Sequence, residues 1–342
     1  MLDILYFWWK LLSFNTYILK ISQIFFSYLP SKLKITIYRQ LGAKIGNNVE
    51  IGFGSIIIPS GLDFYKIHID DNVIIEDYVT ILAKELSLHR GAQIKCNTKI
   101  WGQSKFFMGR GSYIDQHCLL DLRHDISLGD FAGIGADSWL YTHGVWHSIL
   151  TGAPSNFGPI VIQERAWVAA NVFIMPNIMI GKGSIVGARS VVTKNVEPDS
   201  VVAGNPAREI NRTSNITKKL SFDEKCRIIS NILVDFNRVY DNSILQTNQY
   251  TDSEIIYYKN SILIYQSLIN ENELKKIING NISNIICIIS FIIPINVREY
   301  CEQKGLIFFD INEGIMHGKN SKYSNLFRSF FGNYGIQFER KY

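Results

Sequence analysis

The stretch from Ile162 to Val192, IQERAWVAANVFIMPNIMIGKGSIVGARSVV, places an aliphatic residue at every sixth position. These residues are Ile162, Val168, Ile174, Ile180, Val186 and Val192. A period of six differs from the period of about 3.6 of an α-helix, but three short strands joined by corners repeat in this way. The stretch therefore predicts stacked triangular coils whose aliphatic side chains pack on those of the neighbouring coils.

The same interval extends back to Ile45 when short insertions are allowed between coils. Seven triplets with a spacing of six contain only Ile, Val, Leu or Met: Ile45, Ile51, Ile57; Ile69, Ile75, Ile81; Leu88, Ile94, Ile100; Met108, Ile114, Leu120; Leu128, Ile134, Leu140; Ile162, Val168, Ile174; Ile180, Val186, Val192. Glycine often follows the aliphatic residue, where a corner favours a residue without Cβ clashes. We expect a mainly β structure of about seven coils, roughly 34 Å long at about 4.8 Å a coil.

One insertion is much longer than the others. It covers residues 141–161 and contains His143, Trp146 and His147. Loops held on a rigid scaffold often carry catalytic or binding residues. This insertion is therefore the first place to look for chemistry.

Composition narrows the classes of function. Of 342 residues, 47% are hydrophobic and 19% charged, and the net charge of +5 contains no basic block that would follow a phosphate backbone. We therefore expect no nucleic-acid partner. The five cysteines include no CxxC pair, which favours reduced thiols and a cytoplasmic location.

The ends of the chain differ from the repeat. Residues 1–29 are apolar but are interrupted by Asp3, Lys10 and Lys20, and their polar positions share one helical face. We expect an amphipathic helix that packs on protein or lies on the inner face of a membrane. The composition changes after Ile210, and alternating strand and helix patterns follow. The chain is thus divided into an N-terminal helical segment (1–42), the repeat domain (43–212) and a smaller α/β domain (213–342).

From Ala43 to Ile210 the sequence resembles the hexapeptide-repeat acyltransferases. The most specific part runs from GPIVI at Gly158–Ile162 to NPAREI at Asn205–Ile210. It is similar to maltose and galactoside O-acetyltransferases and to O-acetyltransferases of bacterial surface polysaccharides. The resemblance implies a left-handed parallel β-helix, a homotrimer, acetyl-CoA as the acyl donor and a carbohydrate acceptor.

The resemblance also implies roles for individual residues. His143 corresponds to the catalytic base, with His147 as the alternative, and Asp121 corresponds to an acid on the acceptor side. Asp115 or Gln116 stands near a family asparagine. Trp146 is an aromatic residue in the insertion that would suit a sugar face.

The remaining assignments concern the donor. The residues that match the family's cofactor channel are Trp167, Ala170, Ala188, Thr193, Lys194 and Arg208. Lys194 and Arg208 would attract the negative phosphates of the cofactor.

We therefore expect an acetyl-CoA-dependent O-acetyltransferase that modifies a sugar hydroxyl of a bacterial surface polysaccharide or its precursor, and no metal. One alternative is a metal hydratase similar to the γ-carbonic anhydrases, with His117, His143 and His147 as ligands. Another is a noncatalytic trimeric scaffold.

Overall fold

The computed structural model describes residues 24–145, 147–153, 155–240, 253–258, 261–266, 285–291, 293–318, 327–328, 330–332, 334, 336 and 338–341. The chain forms two compact units that divide between Lys218 and Lys219. Compactness does not show which segments fold independently, so the division into 1–42, 43–212 and 213–342 stays a prediction.

The first unit is built on three sheets that form the faces of a coil, and all their strands are parallel except the last strand of the second sheet. The first face contains β1 (Lys44–Ile45), β4 (Ile67–Ile69), β7 (Glu85–Leu88), β10 (Lys105–Met108), β13 (Ile126–Leu128), β18 (Ile160–Ile162) and β21 (Ile178–Ile180). The second contains β2 (Glu50–Ile51), β5 (Ile74–Ile75), β8 (Gln93–Ile94), β11 (Tyr113–Ile114), β14 (Gly133–Ile134), β19 (Trp167–Val168), β22 (Ile185–Val186), β24 (Ser200–Gly204) and β25 (Ala207–Arg212). The third contains β3 (Ile56–Pro59), β6 (Thr80–Ala83), β9 (Lys99–Gly102), β12 (Leu119–Leu122), β15 (Trp139–Tyr141), β20 (Phe173–Ile174) and β23 (Val191–Val192).

The interior of the coil is the predicted aliphatic ladder. Every residue of the seven triplets is buried except Ile45, which is partly buried in the first coil. Equivalent strands of consecutive coils pair in parallel, and Leu120 is thus the register partner of Leu140, as Leu140 is of Ile174. The prediction of a mainly β chain with a parallel β-helix of about seven coils is confirmed.

Close approach of consecutive coils explains the corner glycines. A Cβ atom on Gly129 would lie 2.5 Å from the backbone nitrogen of Glu164, and one on Gly135 would lie 2.6 Å from that of Ala170. The left-handed backbone of these corners falls two residues later, on Phe131 and Asp137. These glycines are therefore required by the next coil and not by their own torsion angles.

A helix closes the first coil, whose backbone has no preceding coil to pair with. This helix is α1 (Ser31–Gln40), and residues 24–27 before it are also helical. The Ser31 hydroxyl accepts a hydrogen bond from the Ile51 amide at 2.9 Å, and the buried Tyr38 hydroxyl accepts one from the Ile57 amide at 2.8 Å. Side chains of α1 thus replace a missing strand partner.

Lys34 of α1 is fully buried at the same end of the coil. Its Nζ donates hydrogen bonds to the carbonyl oxygens of Gly52, at 2.5 Å, and Ser55, at 3.0 Å. Burial lowers the pKa of Lys34 to about 8, although the charge of Asp77 opposes this shift. The opposite end of the coil is closed differently, by antiparallel pairing of β24 with β25.

The short helix α2 (Thr213–Ile216) ends the first unit, and the second unit begins with α3 (Phe222–Tyr240). A mixed six-stranded sheet follows, with α4 (Ile295–Gln303) between its third and fourth strands. Its strands are β26 (Ser253–Tyr258), β27 (Ser261–Gln266), β28 (Ile285–Ser290), β29 (Ile307–Asp310), β30 (Ile315–His317) and β31 (Glu339–Lys341). The predicted α/β character is confirmed. Within the described ranges, no helix has the length and hydropathy needed to cross a membrane.

Candidate active site

The long insertion leaves the coil at the edge where the chain passes from the third face to the first, which we call edge 3/1. It contains a short antiparallel hairpin of β16 (His143–Val145) and β17 (Ser155–Phe157), in which His143 pairs with Phe157. A single turn of 3-10 helix lies between these strands, at Ile149–Thr151. Sequence analysis predicted only a loop here, because strands of three residues leave too short a pattern.

Thr142 anchors the insertion to the preceding coil. Its hydroxyl is buried, donates a hydrogen bond to the Asp121 carbonyl oxygen at 2.8 Å and accepts one from the His124 amide at 2.8 Å. The Thr142 carbonyl oxygen also accepts a hydrogen bond from the Gly158 amide at 3.1 Å, which joins the two ends of the insertion. The backbone next to His143 is therefore held in place by β12 and by the returning chain.

His143 and Asp121 form a close pair. The Nδ1 atom of His143 lies 2.9 Å from Oδ1 of Asp121, and the side chains are 40% and 15% exposed. The same carboxylate oxygen accepts a hydrogen bond from the Arg123 amide at 3.2 Å. Because a carboxylate accepts hydrogen bonds, this contact assigns the imidazole proton to Nδ1 and leaves Nε2 able to accept a proton.

His147 has a different environment. It is exposed, and it has no hydrogen-bond or ionic partner among the residues that the structure describes. No side chain there orients its ring, in contrast to that of His143. The aromatic residue expected beside it, Trp146, lies outside the described residues.

Aromatic side chains flank the His143–Asp121 pair on the outer surface of the third face. Trp101, Asp121 and Tyr141 are register partners on consecutive coils, and the Trp101 side chain is about half exposed. The Tyr141 ring stacks on Phe173 with centroids 5.4 Å apart, and its centroid lies 6.4 Å from that of His143. Sequence analysis missed Trp101 and Tyr141, although both lie one 20-residue coil from Asp121, and that spacing would have identified them.

Two of the expected donor residues lie on edge 3/1. Thr193 and Lys194 directly follow β23, two coils beyond the strand that precedes His143, and both are exposed. Lys194 forms no ion pair with any described residue. In the order of the coils, the His143–Asp121 pair therefore has Trp101 of the preceding third-face strand on one side and the cationic side chain of Lys194 on the other.

The other expected site residues lie elsewhere on the coil. Asp115, Gln116, Ala170 and Ala188 follow strands of the second face, at the edge between the second and third faces, which we call edge 2/3. The Asp115 carboxylate accepts a hydrogen bond from the Gln116 amide at 2.8 Å. Burial, with the nearby Asp115, raises the pKa of Tyr113. Within one chain these residues are not brought together with His143.

Trp167 and Arg208 belong to the second face. The Trp167 ring lies over Gly133, where a Cβ atom would collide with it, and the side chain is nearly half exposed. Arg208 is exposed on β25, and its guanidinium donates a hydrogen bond to the carbonyl oxygen of Ala207 at 2.9 Å. Both side chains face away from the interior of the coil.

The three histidines of the hydratase alternative are divided between the two edges. His117 follows β11 at edge 2/3, where its Nδ1 lies 4.0 Å from Oδ1 of Asp137, whereas His143 and His147 belong to the insertion at edge 3/1. In the described part of the chain, no three His, Cys, Asp or Glu residues are arranged to hold a metal ion.

Part of the coil matches a known family model, and the chain resembles known proteins in sequence. The family model "bacterial transferase hexapeptide (six repeats)" matches residues 159–194. WcaF of Escherichia coli K12, named as a candidate colanic acid biosynthesis acetyltransferase, is 40% identical over 101 residues, covering 24% of this chain and 56% of WcaF. Galactoside O-acetyltransferase of the same organism is 29% identical over 123 residues, covering 35% of this chain and 61% of that enzyme. The chain thus spans between half and two thirds of the length of these two relatives.

A solved structure is also similar to this chain. It is a hexapeptide-repeat acetyltransferase of Vibrio cholerae complexed with acetyl coenzyme A, 20% identical in sequence, with a TM-score of 0.33 over 58% of this chain and 90% of that one. The six-residue period of the stacked coils is the period of the hexapeptide model that matches residues 159–194. Both sequence relatives are named as acetyltransferases. Residues 159–194 thus match the bacterial transferase hexapeptide model, and the chain is similar in sequence to acetyltransferases.

Proposed function

We propose that this protein transfers an acetyl group from acetyl-CoA to a hydroxyl of a carbohydrate, in a bacterial surface polysaccharide or its precursor. The observation that carries the proposal is the contact of 2.9 Å between His143 Nδ1 and Asp121 Oδ1. A histidine oriented by a carboxylate is a common general base for an attacking hydroxyl.

In this mechanism Asp121 holds the Nδ1 proton of His143, so Nε2 accepts the proton of the acceptor hydroxyl. The hydroxyl oxygen then attacks the thioester carbonyl that acetyl-CoA supplies. As the carbon–sulfur bond breaks, His143 returns its proton to the leaving sulfur. The acetyl ester and the free thiol form, and His143 is again neutral.

Direct transfer is preferred to an acyl-cysteine intermediate. Cys118 is buried beneath edge 2/3, and burial raises the pKa of its thiol to about 12. A thiol with so high a pKa is a weak nucleophile near neutral pH. The described cysteines Cys96, Cys118, Cys226 and Cys301 are free, in keeping with the cytoplasmic location that we propose.

The proposed site needs two copies of the chain. His143, Thr193 and Lys194 lie on edge 3/1, whereas Ala170 and Ala188 lie on edge 2/3. We infer a homotrimer in which edge 3/1 of one subunit meets edge 2/3 of the next, with Trp167 and Arg208 completing the donor site. Lys194 and Arg208 then act on the phosphates of the donor, and Thr193 on its pantetheine arm.

The acceptor binds on the other side of His143. The half-exposed Trp101 ring offers a flat apolar surface to a sugar, and Asp121 separates it from Tyr141. The names of the relatives WcaF and galactoside O-acetyltransferase support a carbohydrate acceptor. Gln116 and Asp115 would reach the same site from the neighbouring subunit.

The test is acetyl transfer to a panel of soluble saccharides, followed by the mass gain of the acetylated product and by release of the CoA thiol. We expect product with the wild-type protein, and a loss of product with His143→Ala. A protein that binds no acetyl-CoA in calorimetry would contradict the proposal and favour the noncatalytic scaffold. One metal ion per site in the purified protein would favour the hydratase.

A further inference from the structure

The hairpin that carries His143 has few connections to the coil. Its strands β16 and β17 pair with each other and, among the strands that the structure describes, with no strand of the three faces. The position of His143 relative to Asp121 therefore depends on contacts at the base of the hairpin. On the side of the following coil, Asn156 Nδ2 donates a hydrogen bond to the carbonyl oxygen of Pro176 at 3.2 Å. On the side of the preceding coil, Thr142 makes the contact.

Thr142 spans the whole corner that begins with Asp121. Its buried hydroxyl donates a hydrogen bond to the Asp121 carbonyl oxygen and accepts one from the His124 amide, both at 2.8 Å, so one oxygen atom joins residues three apart. Within that corner, the Arg123 amide donates to Oδ1 of Asp121, the same oxygen that contacts His143 Nδ1. The corner that Thr142 bridges is thus the one that orients the Asp121 carboxylate.

The same bridge recurs at edge 2/3, where it stabilises corners of the coil. Three buried hydroxyls there join a carbonyl and an amide three residues apart on the following coil: Ser55 joins Glu76 and Val79, Thr98 joins Asp115 and Cys118, and Ser138 joins Ala169 and Val172. At the described corners of edge 3/1, only the Thr142 hydroxyl makes both bonds, and it reaches back to the preceding coil. On this edge the bridge therefore occurs once, at the corner next to His143.

We propose that Thr142 is a positioning residue for the His143–Asp121 pair, an inference that rests on the proposed acetyl transfer. Thr142 holds the backbone of Asp121 through its hydroxyl and precedes His143 in the chain, so one residue sets the distance between the two groups. The branched Cβ of threonine restricts χ1 and keeps the hydroxyl in the corner. Valine has a similar shape but leaves a buried carbonyl and a buried amide unpaired, so the corner must shift to pair them.

The test compares variants of the full-length protein. Thr142→Val removes the hydroxyl at nearly constant shape, and Thr142→Ala takes its place if that variant does not fold. Thr142→Ser keeps the hydroxyl without the methyl group. The matched control is Ser55→Ala, which removes the equivalent bridge at a corner of edge 2/3 that carries no proposed site residue. Circular dichroism and urea unfolding show which variants are folded.

Two properties are measured on each variant. The first is the turnover number for acetyl transfer, from release of the CoA thiol. The second needs no activity: histidine-selective nitrogen NMR at alkaline pH, where imidazole rings are neutral, shows which ring nitrogen of His143 carries the proton. The His143→Gln variant assigns the signal.

We expect Thr142→Val to lower the turnover number about 10- to 10²-fold, because a small displacement of a catalytic group costs this much, and to change the Michaelis constants little. In the wild type and in Thr142→Ser, the proton should lie on Nδ1, which faces Asp121. In Thr142→Val it should be divided between the two nitrogens. Ser55→Ala should unfold at lower urea but keep the wild-type turnover number and the proton on Nδ1.

The proposal would be overturned if Thr142→Val kept the wild-type turnover number and the proton on Nδ1. An equal loss of turnover in Ser55→Ala would also overturn it, because any weakened corner would then have the same effect. An equal loss in Thr142→Ser would show that the hydroxyl is not what positions the pair. If the wild type transfers no acetyl group, the proposed function fails, and the NMR comparison still decides whether Thr142 orients His143.

Discussion

The interior of the coil repeats the same kind of residue in every coil, whereas edge 3/1 differs from one coil to the next. In the interior, equivalent positions of successive coils hold interchangeable aliphatic residues, such as Leu120, Leu140 and Ile174, all fully buried. At edge 3/1 the coils differ, and one of them extends into the hairpin that carries His143. Repetition stabilises the fold but places no unique group, whereas a catalytic group requires that the repeat be interrupted. Substitutions should therefore separate stability from activity within a few residues.

The largest expected effect is on activity. His143→Ala should lower the turnover number for acetyl transfer by about 10²–10⁴-fold, because a positioned general base contributes that much. Its side chain is outside the ladder, so the midpoint of urea unfolding should stay unchanged. The control is His147→Ala, four residues further on, which should retain activity. If His147→Ala lost activity and His143→Ala retained it, His147 would be the general base instead.

The matching interior substitution is Leu140→Ala, three residues before His143. It should lower the free energy of unfolding by about 2–5 kcal/mol, because it removes buried methyl groups from a packed ladder and leaves a cavity. Urea unfolding followed by circular dichroism measures this loss. At a temperature where the variant is still folded, its turnover number should be close to that of the wild type. An unchanged unfolding midpoint would show that the ladder does not determine stability.

A smaller effect is expected at the far end of edge 3/1. Lys194→Ala should raise the Michaelis constant for acetyl-CoA about tenfold and change the turnover number little, because an exposed cation contributes to binding and not to proton transfer. Steady-state kinetics with acetyl-CoA as the varied substrate measures it. Lys182→Ala is the control, because Lys182 lies in the corner between β21 and β22, away from edge 3/1, and its Nζ pairs with Glu164 at 2.8 Å. A lower turnover number without a change in the Michaelis constant would assign Lys194 to chemistry.

The last prediction concerns the pH dependence of stability and rests on Lys34, the lysine buried at the α1 end of the coil. Its pKa is lowered to about 8 from 10.5, so between these values the unfolded chain binds more protons than the folded one. Stability should therefore rise as the pH increases from about 8 to about 10, and the Lys34→Met variant should lack this rise. Urea unfolding at several pH values, taken as the difference between the two proteins, measures it. If the stability of the wild type relative to Lys34→Met fell over this pH range instead, the lowered pKa of Lys34 would be contradicted.

The repeat and the insertion also differ in how far sequence predicts them. Every sixth residue from Ile45 onward identified the ladder, and insertion length singled out the segment 141–161 that contains His143, Trp146 and His147, because both are local properties of the chain. The separate roles of His143 and Asp121 followed from a resemblance, but their contact was not predicted, because no pattern near either residue indicates it. Trp101 and Tyr141 were missed because they become neighbours of Asp121 only when coils of 20 residues stack.

Sequence alone therefore determined the parallel coil, its number of turns and the position of the insertion, since periodic burial of aliphatic side chains is expressed at each position in turn. Only the tertiary structure decided which polar groups meet. It brought Thr142 and His143 against Asp121, more than 20 residues earlier in the chain, and placed Ala170 and Ala188 on a different edge from Lys194. It also showed that α1 closes the first coil through Ser31, Lys34 and Tyr38. These contacts depend on the register between coils, and short insertions change that register without altering the six-residue pattern.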